Sequence, residues 1–430
     1  MNKSQTELLG LLKDNIVPAT GCTEPIAIAY AVARAREQVK GNLVCMDIQV
    51  DSNIYKNGLM VTIPGTKERG LTAAAALGFV AGDSQKNFQV IGDLTDQNIS
   101  EAKKLIEQGK IKVALNRHYQ GLHIEVILTT HQEKVRVITS HTHLNIVHIE
   151  KVPPKKPFSQ FQPKPTTASS SSPLIQNYEL ADFLSFSQQM PLSELLFLAE
   201  GTRMNLTIAQ EGLTIEKGVG CKLNELVSEG IMNANSISRA QILCAAAAEA
   251  RMVGSRLPVM STAGSGNHGI TVFLTNYAVA ETKKLSREKH LRALALSHLM
   301  TFFIKSYTGT LSAMCGCGVA AGIGASAGVV WMLGGKQKDI MGALYNMVGS
   351  ISGVICDGAK EGCAYKLALA AGWAVQSALL SLKGAVIHST NGIIAPGFRQ
   401  LFQNLGYLCD PGMIATDQAI LDVMLGGKKN

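Results

Sequence analysis

Two hydrophobic patterns divide this chain and limit what it can fold into. Between residues 43 and 150, short apolar runs rich in β-branched residues predict strands, and the stretches 67–82 and 97–109 predict helices among them. From Asn177 to the end, apolar residues recur at helical spacing. The predicted strands are LVCMDIQV, GLMVTI, KNFQVIG, KIKVALN, LHIEVILTT, KVRVITS and LNIVHIE. We therefore expect an α+β protein, in which an N-terminal α/β unit with a mixed or antiparallel sheet precedes a mostly α-helical C-terminal domain.

A segment rich in proline and serine separates the two patterns. It spans residues 151–175 and reads KVPPKKPFSQFQPKPTTASSSSPLI. This composition cannot bury a core and is typical of a linker or a surface loop. A chain of 430 residues is also too long for one ordinary core. We therefore expect one domain at residues 1–150, the linker, and a helical domain at residues 176–430.

Two further helices are predicted ahead of the sheet, at residues 4–16 and 24–40. Between them, VPATGCTEP forms a turn punctuated by glycine and proline, with Thr23 as the expected N-cap of the second helix. Cys22 would then directly precede a helix N-terminus. The helix dipole and the free N–H groups at such a position favour a thiolate.

Charge and hydropathy argue against several classes of function. The net charge is +8, but no Lys/Arg run is interleaved with aromatic residues, so nucleic-acid binding is not expected. Residues 311–335 carry no charge, yet their many small residues predict buried helices rather than a membrane span. The N-terminus has no apolar signal sequence, so we expect a cytoplasmic protein without a membrane partner. The nine cysteines are then not expected to form disulfides, and they are more typical of core thiols, metal ligands or reactive thiols.

Five cysteines lie in unusual settings, and these are Cys22, Cys315, Cys317, Cys356 and Cys363. Cys315 and Cys317 are two residues apart, so on a helix their side chains would point about 200° away from each other. Cys356 and Cys363 would share a helix face but lie about 10.5 Å apart along the axis. That distance is too large for one compact cluster, although the glycines between them allow a loop that brings the thiols together.

The cysteine spacing leaves two interpretations open. No pair has the spacing of a zinc knuckle, and the ferredoxin run is absent. Three thiolates from separated loops could hold an iron–sulfur cluster and leave one iron open as a Lewis acid. On spacing alone, buried thiols that line close helix contacts remain the simpler interpretation.

Four motifs resemble a known family. The segments CGCGVAAGIGASAG, GVICDGAKEGCAYK, PATGCTEPIAIA and STAGSGNHG are similar to the L-cysteine desulfidase family, which is related to the iron–sulfur L-serine dehydratases. The matches run from residue 17 to about residue 397. The resemblance implies a lyase that eliminates hydrogen sulfide from L-cysteine, giving pyruvate and ammonia without pyridoxal phosphate. An L-serine dehydratase of the same chemistry and a non-catalytic cluster-binding or zinc-binding protein remain alternatives.

The resemblance also implies roles for individual cysteines. The implied ligands of a [4Fe–4S] cluster are Cys317, Cys356 and Cys363. Cys315 remains an alternative to Cys317. Cys22 matches the proton acceptor of the family, and Glu24 is a second candidate base. The serine dehydratases can place a C-terminal cysteine on the open iron, whereas this chain ends LGGKKN without one.

The turn STAGSGNHG is expected to bind a small-molecule amino-acid substrate, because free backbone N–H groups in a Gly-rich turn can cradle a carboxylate. The residues expected to contact the substrate are Ser265, Asn267, His268 and, in HSTNGIIAPG, Asn391. A tight interhelical turn with a core histidine is the structural alternative. The oligomeric state is not readable from the sequence, with which a homo-oligomer is compatible.

Other polar residues near these motifs have weaker interpretations. Asp357 and Lys360 lie beside a predicted ligand, and we expect them either to orient its loop or to form a surface ion pair. His141, His143 and His148 fall in predicted strands without a Cys or carboxylate nearby. They are therefore predicted to be surface histidines rather than metal ligands.

Overall fold

The computed structural model describes residues 2–119, 121–159, 173–309 and 311–427. The strands are β1 (Pro18–Ala19), β2 (Leu43–Val50), β3 (Ile111–Leu115), β4 (His123–Thr130), β5 (Lys134–Ser140), β6 (Ile146–Val152) and β7 (Val259–Met260). Five of them form a sheet in the order β3-β2-β4-β5-β6, in which β2 and β3 are parallel and the other pairs are antiparallel. The mixed sheet predicted for the N-terminal region is therefore confirmed.

Helices cover one face of this sheet. The helices of this region are α1 (Lys3–Asn15), α2 (Thr23–Arg36), α3 (Ser52–Gly58), α4 (Gly70–Ala81) and α5 (Asp96–Glu107). Along β4, the alternate residues Ile124, Val126 and Leu128 are fully buried, as expected for a strand with one covered face. They share one apolar core with α2 and α4. This packing fixes the position of α2 and of the turn that precedes it.

The rest of the described chain is almost entirely helical. Its helices are α6 (Leu180–Gln189), α7 (Leu192–Leu195), α8 (Phe197–Gly212), α9 (Val219–Ser228), α10 (Ser236–Met252), α11 (Gly266–Thr282), α12 (Arg287–Thr308), α13 (Ala320–Met332), α14 (Gln337–Ile351), α15 (Cys363–Leu382), α16 (Phe398–Tyr407) and α17 (Ile414–Met424). A Cβ at Gly324 would collide with Thr301 of α12, and one at Gly328 would collide with Ser297. Small residues therefore let these helices pack with their backbones close together. The fold class is α+β, as the sequence predicts.

Two of the predicted strands are wrong, and both are buried apolar runs outside the sheet. GLMVTI includes the end of α3, a helix that the sequence did not reveal. Asp51 caps α3 directly after β2 by accepting two backbone N–H bonds, at 2.8 and 3.2 Å. KNFQVIG lies in the 3₁₀ helix Ser84–Gln89 and the turn after it. Val61 and Val90 are buried, so the apolar character of both runs reflects packing rather than strand pairing.

Two local predictions also need correction. The N-cap of α2 is Cys22 rather than Thr23, whose hydroxyl donates to the Glu24 carboxylate. His141 and His143 lie in the turn between β5 and β6 rather than in a strand. His143 is only 4% exposed, so it is not a surface histidine.

The two regions are connected by contacts that do not follow the order of the chain. The apolar face of α1 packs into the helical core, and β1 pairs with β7. At the other end of the chain, Asp417 of α17 forms an ion pair with Lys56 of α3. Of the predicted linker 151–175, residues 160–172 lie outside the described residues. The predicted division into domains therefore stays a prediction.

Within the described ranges, one helix, α15, is long and apolar enough to cross a membrane. Its most apolar window is 56% buried inside the protein, and a core helix of a soluble protein passes the same test. The uncharged stretch 311–335 contains α13, which has 13 residues and is almost entirely buried. A helix of that length is too short to span a bilayer.

Candidate functional site

A two-residue strand pair places the turn that carries Cys22. Pro18 pairs with Met260 and Ala19 with Val259, and the Ser261 N–H donates to the Val17 carbonyl at 2.9 Å, so the segment that leads into α2 runs beside the segment that leads into α11. The turn then enters α2, whose N-cap is Cys22. The first turns of α2 and α11 therefore lie on the same side of the molecule.

Glu24 is the centre of a buried hydrogen-bond network. One carboxylate oxygen accepts a hydrogen bond from Cys22 Sγ at 2.8 Å and another from Thr23 Oγ1 at 3.1 Å. The other oxygen accepts one from Asn57 Nδ2 of α3 at 3.0 Å. All four residues are buried, so this carboxylate is held inside the protein by three donors.

Two cysteine-bearing loops pair like a short antiparallel ribbon. Met314 and Ile355 form an isolated bridge. On either side of it, the Cys315 N–H donates to the Val354 carbonyl at 2.8 Å and the Cys356 N–H donates to the Ala313 carbonyl at 2.6 Å. Because side chains alternate along such a ribbon, Cys315 and Cys356 share one face as diagonal neighbours.

Cys317 and Cys363 extend this group of thiols. Cys317 lies in the turn before α13, with its sulfur 3.9 Å from Ser265 Oγ. Cys363 is the first residue of α15, and its thiol donates to the Gly358 carbonyl at 3.7 Å. Gly358 has φ +89°, and a Cβ there would lie 2.5 Å from the Lys56 carbonyl, so the loop needs glycine at this point.

These groups surround one cavity of about 70 Å³. Its polar lining consists of Cys22, Thr23, Glu24, Asn57, Arg251, Ser265, Asn267, Cys315, Cys317, Cys356, Cys363 and Lys366. A cavity of this size has room for roughly five water molecules, which is the scale of a small amino acid.

The cavity brings together most of the residues that the sequence singled out. Cys22 and the three predicted ligands line it, as does Cys315. Ser265 and Asn267 belong to the lining, while His268 lies behind the loop, where a Cβ at Gly316 would collide with its ring. Asn391 is exposed in the loop between α15 and α16 and does not line the cavity. The roles of these residues remain predictions.

Sequence reasoning missed three residues of the cavity wall. Arg251 had a faint signal, because it is a charged residue at the end of an alanine-rich helix. Asn57 lies in YKNG, which suggests an ordinary turn, and no neighbouring residue in the sequence indicates a functional role for it. Lys366 ends the motif GVICDGAKEGCAYK, three residues after Cys363, and resembled a solvated helix residue.

The ionisation of Cys22 differs from the expected thiolate. Burial raises the pKa of the Cys22 thiol well above its usual value, and the neighbouring Glu24 carboxylate raises it further. Burial also opposes the charge on Glu24, but the pKa of Glu24 is nevertheless lowered. The charge interaction with His143 lowers it most, and the hydrogen bonds from Cys22 and Thr23 lower it further. The pair is therefore a neutral thiol beside a carboxylate.

The thiols on the opposite wall influence one another. The hydrogen bond between Cys315 and Cys317 raises the pKa of Cys317 and lowers that of Cys315. Burial raises the pKa of Cys356 and of Cys363. Binding a metal at these thiols would therefore release protons.

Lysines surround the thiol wall. Lys366 donates to the Ile355 carbonyl at 2.8 Å and forms an ion pair with Asp357, which also pairs with Lys360. Asp357 thus connects the loop to α15, in agreement with the expected orienting role. Lys56 is almost fully buried and lies close enough to lower the pKa of Cys356. These cations would offset the negative charge of thiolates or of a thiolate-bound cluster.

The donor set suits a cluster better than a single ion. Within the described residues, no three His, Cys, Asp or Glu side chains are close enough together to hold one metal ion. A cluster has a different requirement, because each of its thiolate ligands binds a different iron. Four thiols around one small cavity, with lysines behind them, meet that requirement.

Comparison with known proteins identifies similar chains. Residues 85–422 match a family model described as the serine dehydratase alpha chain. A UPF0597 protein of Clostridium tetani is 42% identical over 422 residues, which cover 97% of this chain and 98% of the relative. Another UPF0597 protein, from Caldanaerobacter subterraneus subsp. tengcongensis, is 40% identical over 427 residues, covering 99% of both chains. A third, from Clostridioides difficile, is 39% identical and covers 96% of this chain and 98% of its own length.

Proposed function

This chain belongs to the serine dehydratase alpha-chain family, and from that premise we propose that it is an iron–sulfur lyase that eliminates hydrogen sulfide from L-cysteine. Membership of the family implies a lyase and an iron–sulfur cluster. A [4Fe–4S] cluster and carbon–sulfur bond cleavage are the finer parts of the proposal. One observation carries them: the thiols of two loops and the Cys22–Glu24 pair line the same cavity.

The cluster would be held by thiols of the two loops. We assign Cys317, Cys356 and Cys363 as ligands, with Cys315 as the alternative to Cys317. When bound, the cluster would supply a Lewis-acidic iron that polarises the bond between Cβ and sulfur of the substrate. Lys366, through its bond to the loop carbonyl, would hold the ligands in position.

Cys22 and Glu24 would together remove the proton from Cα of the substrate. Glu24 accepts the thiol proton of Cys22 along their hydrogen bond, and the thiolate removes the α-proton of the substrate. The electron pair of the Cα–H bond forms the Cα–Cβ double bond, and the Cβ–S bond breaks to release hydrosulfide. The resulting aminoacrylate takes up water and loses ammonia to give pyruvate.

L-serine dehydratase activity is the second candidate, favoured by the description of the family that the chain matches. The same residues would act, with the substrate hydroxyl in place of the thiol. A non-catalytic protein that binds a cluster or zinc is the third candidate. The buried Cys22–Glu24 pair supports an enzyme over this last alternative, because a site for storage needs no base.

Anaerobic reconstitution with iron and sulfide, followed by assays of sulfide and pyruvate release, tests the proposal. We expect L-cysteine to yield equal amounts of sulfide and pyruvate, with a higher kcat/KM than L-serine. Pyruvate from L-serine without sulfide from L-cysteine would identify a dehydratase instead. A colourless protein that contains zinc and no iron would support the non-catalytic alternative.

The cellular setting is also a proposal. We propose a soluble, cytoplasmic enzyme that acts on a free amino acid and needs neither nucleic acid nor a membrane.

We further propose that residues 1–150 and 176–430 form two domains. Ser265 and Asn267, which line the cavity, are proposed substrate contacts. Gel filtration of the reconstituted protein would show whether it is a homo-oligomer.

A further inference from the structure

A buried arginine lies on the wall of the cavity between the two sets of reactive groups. Arg251 is near the end of α10 and is only 3% exposed. One terminal nitrogen donates to Asn267 Oδ1 at 2.9 Å, and the other donates to the Gly21 carbonyl. Both acceptors are neutral, so these bonds orient the guanidinium without balancing its charge.

The charge of Arg251 has no carboxylate partner within ion-pair distance in the described part of the chain. Its Nε is buried and has no hydrogen-bond partner there. Glu24 is the nearest buried carboxylate of the cavity lining, but its oxygens accept from Cys22, Thr23 and Asn57. Burying a cation without an anion costs free energy, so a bound anion would stabilise the buried guanidinium.

Two helix N-termini reinforce the positive character of this position. Gly21 immediately precedes the N-cap of α2, and Asn267 lies in the first turn of α11. Neither N-cap makes a side-chain capping bond to its helix. A Cβ at Gly266 would lie 2.7 Å from the guanidinium, so glycine lets Arg251 approach the backbone of α11. An arginine beside two uncapped helix N-termini is an arrangement that binds anions.

We propose that Arg251 binds the carboxylate of the substrate, and thereby selects α-amino acids and places their Cα beside Cys22. The planar guanidinium fork matches a carboxylate, and it retains N–H donors beyond the two that Asn267 and Gly21 use. Arg251 donates to Asn267 and Gly21 rather than to the cysteine-bearing loops, so the arginine is available for a ligand other than the cluster. This inference rests on the proposed function and specifies how its substrate is recognised.

The test compares ligands that differ only in charge. L-cysteine and L-cysteinamide are assayed as substrates of the reconstituted enzyme, and the binding of L-serine and L-serinamide is measured by calorimetry. The wild type should favour the carboxylate over the amide by about 10- to 100-fold, the range of one charged hydrogen-bond interaction. In Arg251→Gln this preference should fall to about threefold or less. A purely structural arginine would leave the preference unchanged.

A second variant keeps the test decisive if Arg251→Gln does not fold. Asn267→Asp preserves the shape of the hydrogen-bonding partner but places a carboxylate against Arg251. This variant should keep or raise Tm, because the introduced carboxylate would form an ion pair with the guanidinium of Arg251. The same ion pair should weaken the binding of L-serine about tenfold or more. Arg256→Gln, an exposed arginine outside the lining, is the matched control and should change neither quantity.

The two proposals fail in different ways. If no substrate releases sulfide or pyruvate while Arg251-dependent carboxylate binding persists, the lyase proposal is wrong and the carboxylate site stands. If the wild-type enzyme handles the acid and the amide equally well, the role of Arg251 is overturned and the lyase proposal is unaffected.

Discussion

The two walls of the cavity differ in chemistry and in construction. The N-terminal wall, formed by the turn before α2 and by α3, presents a carboxylate surrounded by hydrogen-bond donors. The C-terminal wall, formed by the loops around residues 313–317 and 354–363, presents thiols backed by lysines. The first is positioned by a helix cap and a strand pair, and the second by one isolated bridge and a glycine at positive φ.

In the proposed function, proton transfer and metal binding therefore belong to separate parts of the chain. Asn57 connects the two walls, because it donates to Glu24 and accepts from the Cys356 thiol at 3.7 Å. Each wall otherwise has its own hydrogen bonds, so we expect that one function can be removed while the other remains. The following predictions test that separation, beginning with the largest expected effect.

Removing a thiol from the C-terminal wall should abolish both metal binding and catalysis. In Cys356→Ser, we expect most of the bound iron to be lost after anaerobic reconstitution, because a cluster needs each of its thiolates. Iron content and turnover measured on the same sample provide the check. Cys221→Ser, on a helix away from the cavity, should retain its iron. Normal iron content in Cys356→Ser would mean that this wall does not hold the cluster.

Replacing Cys22 should affect catalysis alone. In Cys22→Ala, we expect kcat to fall by about 10²- to 10⁴-fold, the usual contribution of a positioned base, with unchanged iron content. Iron analysis separates this variant from those of the opposite wall. If Cys22→Ala turns over at the wild-type rate, Cys22 is not the base. Loss of iron would instead show that the two walls are not independent.

Glu24→Gln should shift the pH profile of the enzyme. Without the carboxylate the Cys22 thiol must lose its proton to solvent before it can act, so kcat/KM of the variant should rise with pH through the pKa of Cys22, which removal of the Glu24 charge lowers. The maximal rate should fall about tenfold or more, because no carboxylate remains to accept the thiol proton. Measurement of kcat/KM across pH for the wild type and the variant decides this. If kcat/KM depends on pH in the same way in both proteins, this dependence does not report the ionisation of Cys22.

The helical core beside the Gly-rich turn should lose stability in acid. His298 is bonded to Thr262 at 2.5 Å, and burial lowers its pKa from 6.5 to about 3. The unfolded chain therefore binds a proton that the folded chain does not, and stability falls as pH drops below 6.5. The loss is about 1.4 kcal/mol per pH unit for this histidine.

Urea unfolding at several pH values, in the wild type and in His298→Asn, measures this contribution. The variant should show a shallower loss of stability in acid, even if it is less stable at neutral pH. Equal slopes would mean that His298 is protonated in the folded protein or does not differ between the two states.

The sheet was largely predictable because its strands have one covered face. LHIEVILTT shows the alternation that β4 uses, and its inward residues are the buried ones. The errors arose where apolar runs are buried outside the sheet, as at Val61 and Val90. Local pattern alone does not distinguish a buried strand from a buried turn.

The site was predictable only in part, because its residues come from distant parts of the chain. The cysteine motifs carried enough local information to mark the thiols. Arg251 and Asn57 acquire their roles from long-range partners, namely Gly21 for the first and Glu24 for the second. The protonation of Cys22 was mispredicted for a related reason, since burial outweighs the helix dipole at that position.

The pairing of β1 with β7 has a consequence for the biogenesis of the enzyme. The two strands are more than 200 residues apart in sequence. β1, which leads into the turn before α2, therefore gains its partner β7 only after the ribosome has made most of the chain. Contacts of such high sequence separation also form slowly. Cys22 should therefore reach its final position late in folding, when the two cysteine-bearing loops have also been synthesised.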